Sequence, residues 1–220
     1  MKNKVLVIGA DHHNTLGIVE SLGQKGLNSY VLIVGENINS FVLKSRYVIE
    51  GWVCSSPEQV VDEMLKHFSD TKNKAIVYSS YDNVSSVLDS SVQRLSPFFI
   101  LPVTNMPGSL ERKMSKEYMS DLAREVGLDV PRTWMVSDGE VPADIEFPCI
   151  TKAISSVEGS KKNIKICKRR EELEEFLTNS EHCPIIQIQK FIIKDFEFQF
   201  LGCSMDNGKH IIISGRTHID

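Results

Sequence analysis

Short apolar runs alternate with helical patterns along the first hundred residues. The runs lie at 5–8, 30–34, 75–78 and 98–101. Between the first two runs, the apolar residues from Leu16 to Leu22 recur at helical spacing, and Gly26 ends the pattern. Continuous apolar strands separated by helices are typical of a parallel sheet covered on both faces. The pattern therefore predicts a doubly wound α/β layer that opens with a β-α-β unit.

The second half of the chain changes to an antiparallel pattern. A strand from Phe147 to Lys152 enters a loop of serine, glycine and lysine, and the alternating run 163–167 returns from it. The run 185–192 predicts a further strand. The sequence Asp-Asn-Gly at 206–208 lies between two apolar runs, which is a strong hairpin signal. These patterns predict a second domain of the α+β class.

A linker-like stretch separates the two patterns. Residues 102–108 contain two prolines, and an amphipathic helix that includes Lys116 follows them. We therefore place the domain boundary between residues 106 and 107, which gives domains 1–106 and 107–220.

Composition and charge narrow the class of protein. The chain has 25 Lys and Arg against 29 Asp and Glu, a net charge of -4, and a pI near 5.9. A nucleic-acid surface needs a basic excess, so no nucleic-acid partner is expected. Five widely spaced cysteines without a C-x-x-C pair indicate reduced thiols in a cytoplasmic protein. The apolar run after Lys4 is too short for a membrane span, so no membrane partner is expected.

The loop after the first strand does not carry a dinucleotide fingerprint. Gly9 is followed by Ala10 and Asp11, and the next glycine comes eight residues later, so the spacing G-x-G-x-x-G is absent. A Rossmann dinucleotide site is therefore disfavoured. The pair His12-His13 in this loop is interpreted as a surface turn in preference to a phosphate contact.

For two further polar sites, the sequence allows either a structural role or a role in substrate binding. Asp82 follows a buried strand, where ligands bind in α/β sheets, but it also suits the N-cap of a helix that extends to Leu95. We favour the N-cap. The tripeptide 45–47, Ser-Arg-Tyr, leads into an edge strand, and the sequence favours neither a loop role nor a substrate role for it.

The chemistry of the second domain suits a nucleotide. Lys152 is a compact cation at the end of a strand, and the small-residue loop after it, with Gly159 and Ser160, is suited to lie over phosphates. The later strand ends at 189–192, Gln-Lys-Phe-Ile, whose edge could hold adenine. Two acids, Asp195 and Glu197, follow it and could bind ribose hydroxyls, and the sequence does not choose between them.

The order of these features resembles the ATP-grasp superfamily, specifically its carboxylate–amine ligase branch, in the manner of the carbamoyl-phosphate synthase large subunit or D-aspartate ligase. The features are the P-x-x-x-K strand from Pro148 to Lys152, the glycine-containing loop, and the Q-K-F-I segment before D-F-E-F. The resemblance covers nearly all 220 residues. It implies a Rossmann-like pre-ATP-grasp domain followed by an incomplete ATP-grasp domain.

The resemblance also implies roles for individual residues. Lys116 and Lys152 would contact the ATP phosphates, backbone groups of Gln189, Lys190, Phe191 and Ile192 would hold adenine, and Asp195 or Glu197 would bind ribose. The family usually has Asp before the first lysine, where this chain has Ser115.

The cofactors implied are ATP and Mg²⁺. The family's metal ligands lie downstream of the Asp-Asn-Gly hairpin, so they are expected beyond Asp220. The sequence is therefore interpreted as the N-terminal portion of an amide-forming ligase, without a catalytic residue of its own and inactive as this chain.

The expected partners are a small-molecule carboxylate and an amine, with a second copy of the chain or a complementary C-terminal half. The resemblance suggests an amino acid, a peptidoglycan precursor or bicarbonate as the carboxylate. Two other functions stay open, namely a non-catalytic nucleotide-binding or regulatory module and one half of a sugar-nucleotide-binding transferase.

Overall fold

A computed structural model of the chain describes residues 3–103, 106–137, 141–153, 164–179, 185–193, 197–205 and 209–219. The described residues up to Leu128 form a first compact unit, and those from Asp129 onward form a second. None of the helices that the structure describes combines the length and the apolarity that a bilayer crossing needs.

The first unit alternates strands and helices, as its sequence pattern predicts. Its strands are β1 (Val5–Ala10), β2 (Ser29–Val34), β3 (Val48–Cys54), β4 (Ala75–Ser79) and β5 (Phe99–Ile100). Its helices are α1 (His13–Gly23), α2 (Pro57–Phe68), α3 (Asp82–Ser90), α4 (Val92–Leu95), α5 (Ser109–Met114) and α6 (Lys116–Glu125), with a short 3-10 helix at Val42–Lys44.

The five strands of the first unit form one parallel sheet in the order β3-β2-β1-β4-β5. One face packs Leu6, Ile8 and Leu32 against α2 and α3. The other face packs Val7, Val31 and Ile33 against residues of α1 and the 3-10 helix. Burial on both faces explains why the strands are continuous apolar runs. The predicted Rossmann-like layer is confirmed.

The helix predicted from Asp82 to Leu95 is divided. Asp82 is the first residue of α3, and Tyr81, with an extended backbone and no capping side chain, precedes it at the N-cap. The N-cap prediction for Asp82 is therefore wrong by one position, although a carboxylate in the first turn still favours the helix dipole. Ser91 separates α3 from α4.

The second unit contains β6 (Thr133–Ser137), β7 (Cys149–Ala153), β8 (Ile166–Cys167), α7 (Arg170–Asn179), β9 (Ile185–Lys190), β10 (Glu197–Met205) and β11 (His210–Ile219). Four strands form an antiparallel sheet in the order β6-β9-β7-β8, and β10 pairs with β11 in a separate two-stranded sheet. Both predicted hairpins are confirmed as strand pairs, with the two connecting segments outside the described residues.

The four-stranded sheet has one core face. Trp134, Val136, Ile186 and Ile188 lie on it and pack with Leu173 of α7. Period-two alternation then directs the intervening residues of each strand to the opposite face. The predicted boundary between residues 106 and 107 lies ahead of α5 and α6, which the compact division groups with the first unit, and that boundary stays a prediction.

Candidate functional site

Lys152 and Gln189 meet on the face of the four-stranded sheet that lies opposite its core. Lys152 lies across from Gln187 on β9, so Gln189 is its diagonal neighbour. The Lys152 Nζ donates to the Gln189 Oε1 at 2.8 Å. The structure thus brings together the predicted phosphate lysine and the first residue of the predicted adenine segment.

Thr133 fixes the orientation of the Gln189 amide. The Gln189 Nε2 donates to the Thr133 Oγ1 at 3.2 Å, and this hydroxyl donates to the Pro131 carbonyl at 2.9 Å. With its nitrogen used in this way, the amide directs its oxygen toward Lys152. The three side chains form a chain of hydrogen bonds that holds the ammonium group on the sheet.

Partly apolar surface surrounds this polar chain on the same face. Ile150 lies opposite Gln189, and Met135 lies opposite Gln187. Met135 is 43% exposed and Ile166 is 46% exposed, whereas Gln187 is buried. A face with a few fixed polar groups among apolar side chains is the usual composition of a small-molecule site.

The segment predicted to hold adenine continues directly from β9. The backbone N–H of Lys190 donates to the Arg132 carbonyl, and that of Phe191 donates to the Pro148 carbonyl, both at 2.9 Å. These bonds fix the path of the segment at the end of the sheet. Ile192 follows with 55% of its surface exposed.

The side chain of Lys190 has a different partner. Its Nζ lies 2.6 Å from a carboxylate oxygen of Glu146, which also pairs with Arg132 at 3.4 Å. The hydrogen bond from Lys190 is the main cause that lowers the pKa of Glu146, and Arg132 adds to it. The geometry therefore leaves the backbone of Lys190 as its contribution to the predicted site.

Lys116 is the first residue of α6, in the first unit. The Ser115 hydroxyl caps this helix by accepting the Tyr118 N–H at 3.1 Å. Serine and aspartate are both strong N-cap residues. The departure from the family's usual Asp at this position therefore preserves the helix start.

Three predicted site residues, Gly159, Ser160 and Asp195, lie outside the described residues. Glu197 is the first residue of β10, where its backbone lies opposite Ile219. The alternative between Asp195 and Glu197 for ribose stays a prediction.

Protein side chains fill the carboxyl edge of the parallel sheet next to Gly9. The Thr15 hydroxyl donates to the Ala10 carbonyl at 2.7 Å and lies 2.8 Å from the Ser80 hydroxyl. A Cβ at Gly9 would approach the Ser80 Oγ to 2.1 Å. Close approach of these hydroxyls, and not a phosphate, accounts for glycine here.

His12 in the same loop is the N-cap of α1. Its Nδ1 accepts the Asn14 N–H at 3.3 Å, and its ring lies 3.7 Å from that of His13 between centroids, tilted by 38°. This capping role agrees with the interpretation of the histidine pair as a surface turn.

The Ser-Arg-Tyr tripeptide packs against α1. The Ser45 hydroxyl donates to Glu20 at 2.5 Å, and a Cβ at Gly23 would come within 2.1 Å of the Tyr47 ring. Arg46 stacks on Tyr47 at 4.7 Å. These contacts give Ser45 and Tyr47 a structural role in joining β3, the edge strand, to α1.

Two surface clefts of about 320 and 400 Å³ share Lys4 at the amino edge of the parallel sheet. Lys4 Nζ lies 5.3 Å from the centroid of Tyr30 and 5.5 Å from that of Phe68. Neither cleft is lined by a predicted site residue.

The sequence analysis did not identify Thr133. Its only local signal is its position at the start of an alternating strand, and its role depends on the pairing of β6 with β9. Glu146 was missed for the same reason, because its partners Arg132 and Lys190 are brought together by that pairing.

A Rossmann-like parallel sheet followed by an antiparallel α+β unit is the arrangement that this chain shares with ATP-grasp ligases of known structure. The L-amino acid ligase from Bacillus licheniformis matches with a TM-score of 0.73 and 15% identity, over 99% of this chain and 51% of that one. The D-alanine–D-alanine ligase from Bacillus anthracis matches with a TM-score of 0.54 and 14% identity, over 99% of this chain and 71% of that one.

Nucleotide is bound in another similar structure, the N5-carboxyaminoimidazole synthase from Aspergillus clavatus in complex with ADP and 5-aminoimidazole ribonucleotide. It matches with a TM-score of 0.69 and 11% identity, over 99% of this chain and 54% of that one. The chain thus spans about half the length of the first structures it matches. No family model and no curated protein sequence matches the chain. The structural similarity establishes the fold.

Proposed function

We propose that these 220 residues are the N-terminal portion of an ATP-dependent carboxylate–amine ligase that forms an amide through an acyl phosphate. The observation that carries the proposal is the Lys152–Gln189 contact on the face of the antiparallel sheet opposite its core. The shared fold supports it, because the similar structures are ligases that form C–N bonds.

The donor set on this face fits a nucleotide. Lys152 offers an ammonium group for phosphate oxygens, and the amide of Gln189 keeps that group in place. Adenine would lie against Met135 and Ile150 and meet the backbone of Lys190 to Ile192. ATP, when bound, supplies the phosphoryl group that activates the carboxylate.

The residues of this chain contribute by positioning and by charge. Lys152 would neutralise phosphate charge, and Lys116 would add a second cation. Asp195 or Glu197 would orient the ribose. Such binding groups act by holding reactants in line and need no nucleophilic side chain.

The described residues do not fit a metal site of their own. Among them, no group of three His, Cys, Asp or Glu side chains could hold a metal ion. As the family resemblance implies, the proposal places the Mg²⁺ ligands on a complementary C-terminal half. Turnover by the chain alone would contradict it. The proposal also includes a cytoplasmic location and, as an alternative partner, a second copy of the chain. The carboxylate would be an amino acid, a peptidoglycan precursor or bicarbonate.

Calorimetric titration with a non-hydrolysable ATP analogue and Mg²⁺ tests the nucleotide site. We expect weak binding by the wild-type chain and a loss of about tenfold or more in Lys152→Ala, since hydrogen bonds to charged groups contribute about 1.5–3 kcal/mol. Gln189→Ala should weaken binding less, because it only releases the ammonium group.

The matched control is Lys168→Ala, which removes an exposed lysine from the same unit. It should bind the analogue as the wild type does. Equal loss in Lys168→Ala and Lys152→Ala would reduce the effect to net charge, and unchanged affinity in Lys152→Ala would remove this lysine from the site.

A further inference from the structure

Two buried cysteines lie directly opposite each other on the four-stranded sheet. Cys149 on β7 pairs with Cys167 on β8 in the antiparallel register. Both side chains are buried in the core of the second unit, on the same face of the sheet. The nucleotide site proposed above lies on the opposite face, so it does not account for either thiol.

Strand pairing brings the two cysteines within the range of a disulfide. Residues directly opposite each other in an antiparallel pair have Cα atoms about 4.5–5.5 Å apart. A disulfide joins Cα atoms about 4.4–6.8 Å apart. Both cysteines are free thiols in this structure, and their side chains share a hydrogen bond. A bond between the two sulfur atoms would therefore need little movement of the backbone.

The surroundings make Cys167 the more reactive thiol of the pair. Burial raises the pKa of Cys149 to about 11, and Cys167 adds to this shift. Burial also raises the pKa of Cys167, and the Glu172 carboxylate adds to that shift. The Lys165 ammonium and the hydrogen bond with Cys149 oppose it. Because the thiolate is the nucleophile in thiol oxidation, we expect Cys167 to react first.

The position of β8 gives an oxidant access to the pair. This strand contains only Ile166 and Cys167 and lies at one edge of the sheet. Ile166 is 46% exposed. A two-residue edge strand is held by few hydrogen bonds, so it can open locally while the rest of the sheet stays folded. Such an opening exposes Cys167 to a small oxidant.

We propose that Cys149 and Cys167 form a reversible disulfide that fastens β8 to β7, with hydrogen peroxide as the oxidant. The Cys167 thiolate attacks a peroxide oxygen, which forms a sulfenic acid and releases hydroxide. The Cys149 thiol then attacks the sulfenic sulfur, forms the S–S bond and releases water. The hydroxide takes up the proton that Cys167 lost, so both peroxide oxygens leave as water while the two thiols are oxidised. This reaction is independent of the ligase function proposed above.

Peptide mapping by mass spectrometry, after the full chain is treated with hydrogen peroxide, tests the disulfide. Cys183 and Cys203 are first replaced by serine so that they cannot take part. We expect a cross-link between the peptides of Cys149 and Cys167 that dithiothreitol removes. Free thiols at both positions after treatment would overturn the proposal.

Cys54 provides the matched control for burial. It is buried in the first unit, and burial raises its pKa to about 11, as for Cys149. Its partner across the strand pair is Val34, not a cysteine. Cys54 should therefore keep its thiol while the pair is oxidised. Loss of the Cys54 thiol at the same rate would attribute the oxidation to unfolding of the chain and not to the pairing.

The order of the two steps is tested by trapping the sulfenic acid with dimedone. In Cys149→Ser, the second step is blocked, and the adduct should accumulate on Cys167. In Cys167→Ser, Cys149 should give little adduct, because its thiol stays protonated. Equal adducts in the two variants would contradict the assignment of Cys167 as the attacking thiol.

Urea unfolding of the second unit tests whether the disulfide fastens the strands. Trp134 fluorescence in a Trp52→Phe background reports this unit. Oxidation should lower the equilibrium constant of unfolding about hundredfold, since a disulfide that closes a loop of this size restricts the unfolded chain. The same treatment should leave a chain with serine at both positions unchanged. An equal effect of peroxide on that chain would show that the disulfide does not cause the stabilisation.

Discussion

The two sheets of this chain differ in what their faces contact. The parallel sheet of the first unit is buried on both faces, with Leu32 and Ile33 directed to opposite cores. The antiparallel sheet of the second unit buries Ile188 on one face and presents Lys152 and Gln189 on the other. At the edge near Gly9, the parallel sheet is filled by its own hydroxyl groups. Ligand chemistry is therefore expected on the antiparallel face that lies opposite the core.

The chain carries one tryptophan in each unit, which allows the two sheets to be compared separately. Trp52 lies on β3 and Trp134 lies on β6. In a Trp134→Phe background, fluorescence reports the first unit, and in Trp52→Phe it reports the second. Urea unfolding followed in these two backgrounds measures each sheet by itself.

The largest expected effect concerns burial on the two faces. Leu32→Ala and Ile33→Ala should each lower the free energy of unfolding of the first unit by about 2–5 kcal/mol, because both faces are core. In the second unit, Ile188→Ala should cost a similar amount. Ile166→Ala, at a position 46% exposed, should cost about 0.5 kcal/mol or less. A large cost at Ile166 would contradict the exposure of this position.

A second comparison lies within helix α1. A Cβ at Gly23 would meet the Tyr47 ring at 2.1 Å, whereas one at Gly17 meets nothing within 4 Å. Gly23→Ala should therefore lower the free energy of unfolding of the first unit by about 1–3 kcal/mol through overpacking. Gly17→Ala should stabilise it by up to about 1 kcal/mol through helix propensity. Both values come from urea unfolding followed by Trp52.

Removal of the Tyr47 ring provides the control for the Gly23→Ala prediction. In Tyr47→Ala, which removes the ring, Gly23→Ala should no longer destabilise. If the cost persists there, the tripeptide does not explain the glycine.

Buried thiols predict how stability changes in alkali. Burial raises the pKa of Cys149 from 9.0 to about 11. The unfolded thiol loses its proton first, so this contribution to stability is complete below pH 9 and is lost as pH rises to about 11. Cys149→Ala should reduce the decline of the second unit's free energy of unfolding over that range, by up to about 1.4 kcal/mol per pH unit.

A second buried thiol, in the first unit, allows the same measurement there. Cys54, whose pKa burial also raises to about 11, should affect the first unit in the same way. Equal slopes for Cys149→Ala and the wild type would exclude this thiol as a cause.

The smallest expected effect compares two surface arginines. Arg132 stacks on Trp134 at 5.0 Å, whereas Arg94 makes a single exposed ion pair with Asp62 at 2.9 Å. Arg132→Ala should lower the free energy of unfolding of the second unit by about 0.5–1 kcal/mol through the lost cation–π contact. Arg94→Ala should have almost no effect on the first, since solvent screens an exposed pair. Equal costs would indicate that the stacking contributes nothing.

Local sequence patterns determined the secondary structure and the fold class. The period of the apolar residues distinguishes buried parallel strands such as β1 and β2 from the alternating strand β9, because it follows directly from backbone geometry. The Ser115 side chain caps α6 within one helical turn, and the Asp-Asn-Gly signal acts within one loop. Both depend only on neighbouring residues. These patterns do not determine exact helix boundaries. Asp82 is the first residue of α3 and not its N-cap, and Ser91 divides a helix that the apolar pattern extends to Leu95.

The tertiary structure alone decided which distant residues meet. Lys152 and Gln189 are predictable one by one, but the hydrogen bonds that link them to Thr133 require the register of three strands. The Tyr47 ring packs against Gly23, and the Asp89 carboxylate accepts the Leu110 N–H. Neither contact has a local signal in the sequence. The physical reason is that a residue's period along the chain fixes its face, whereas its partner on that face is fixed by strand pairing and helix packing between segments far apart in sequence.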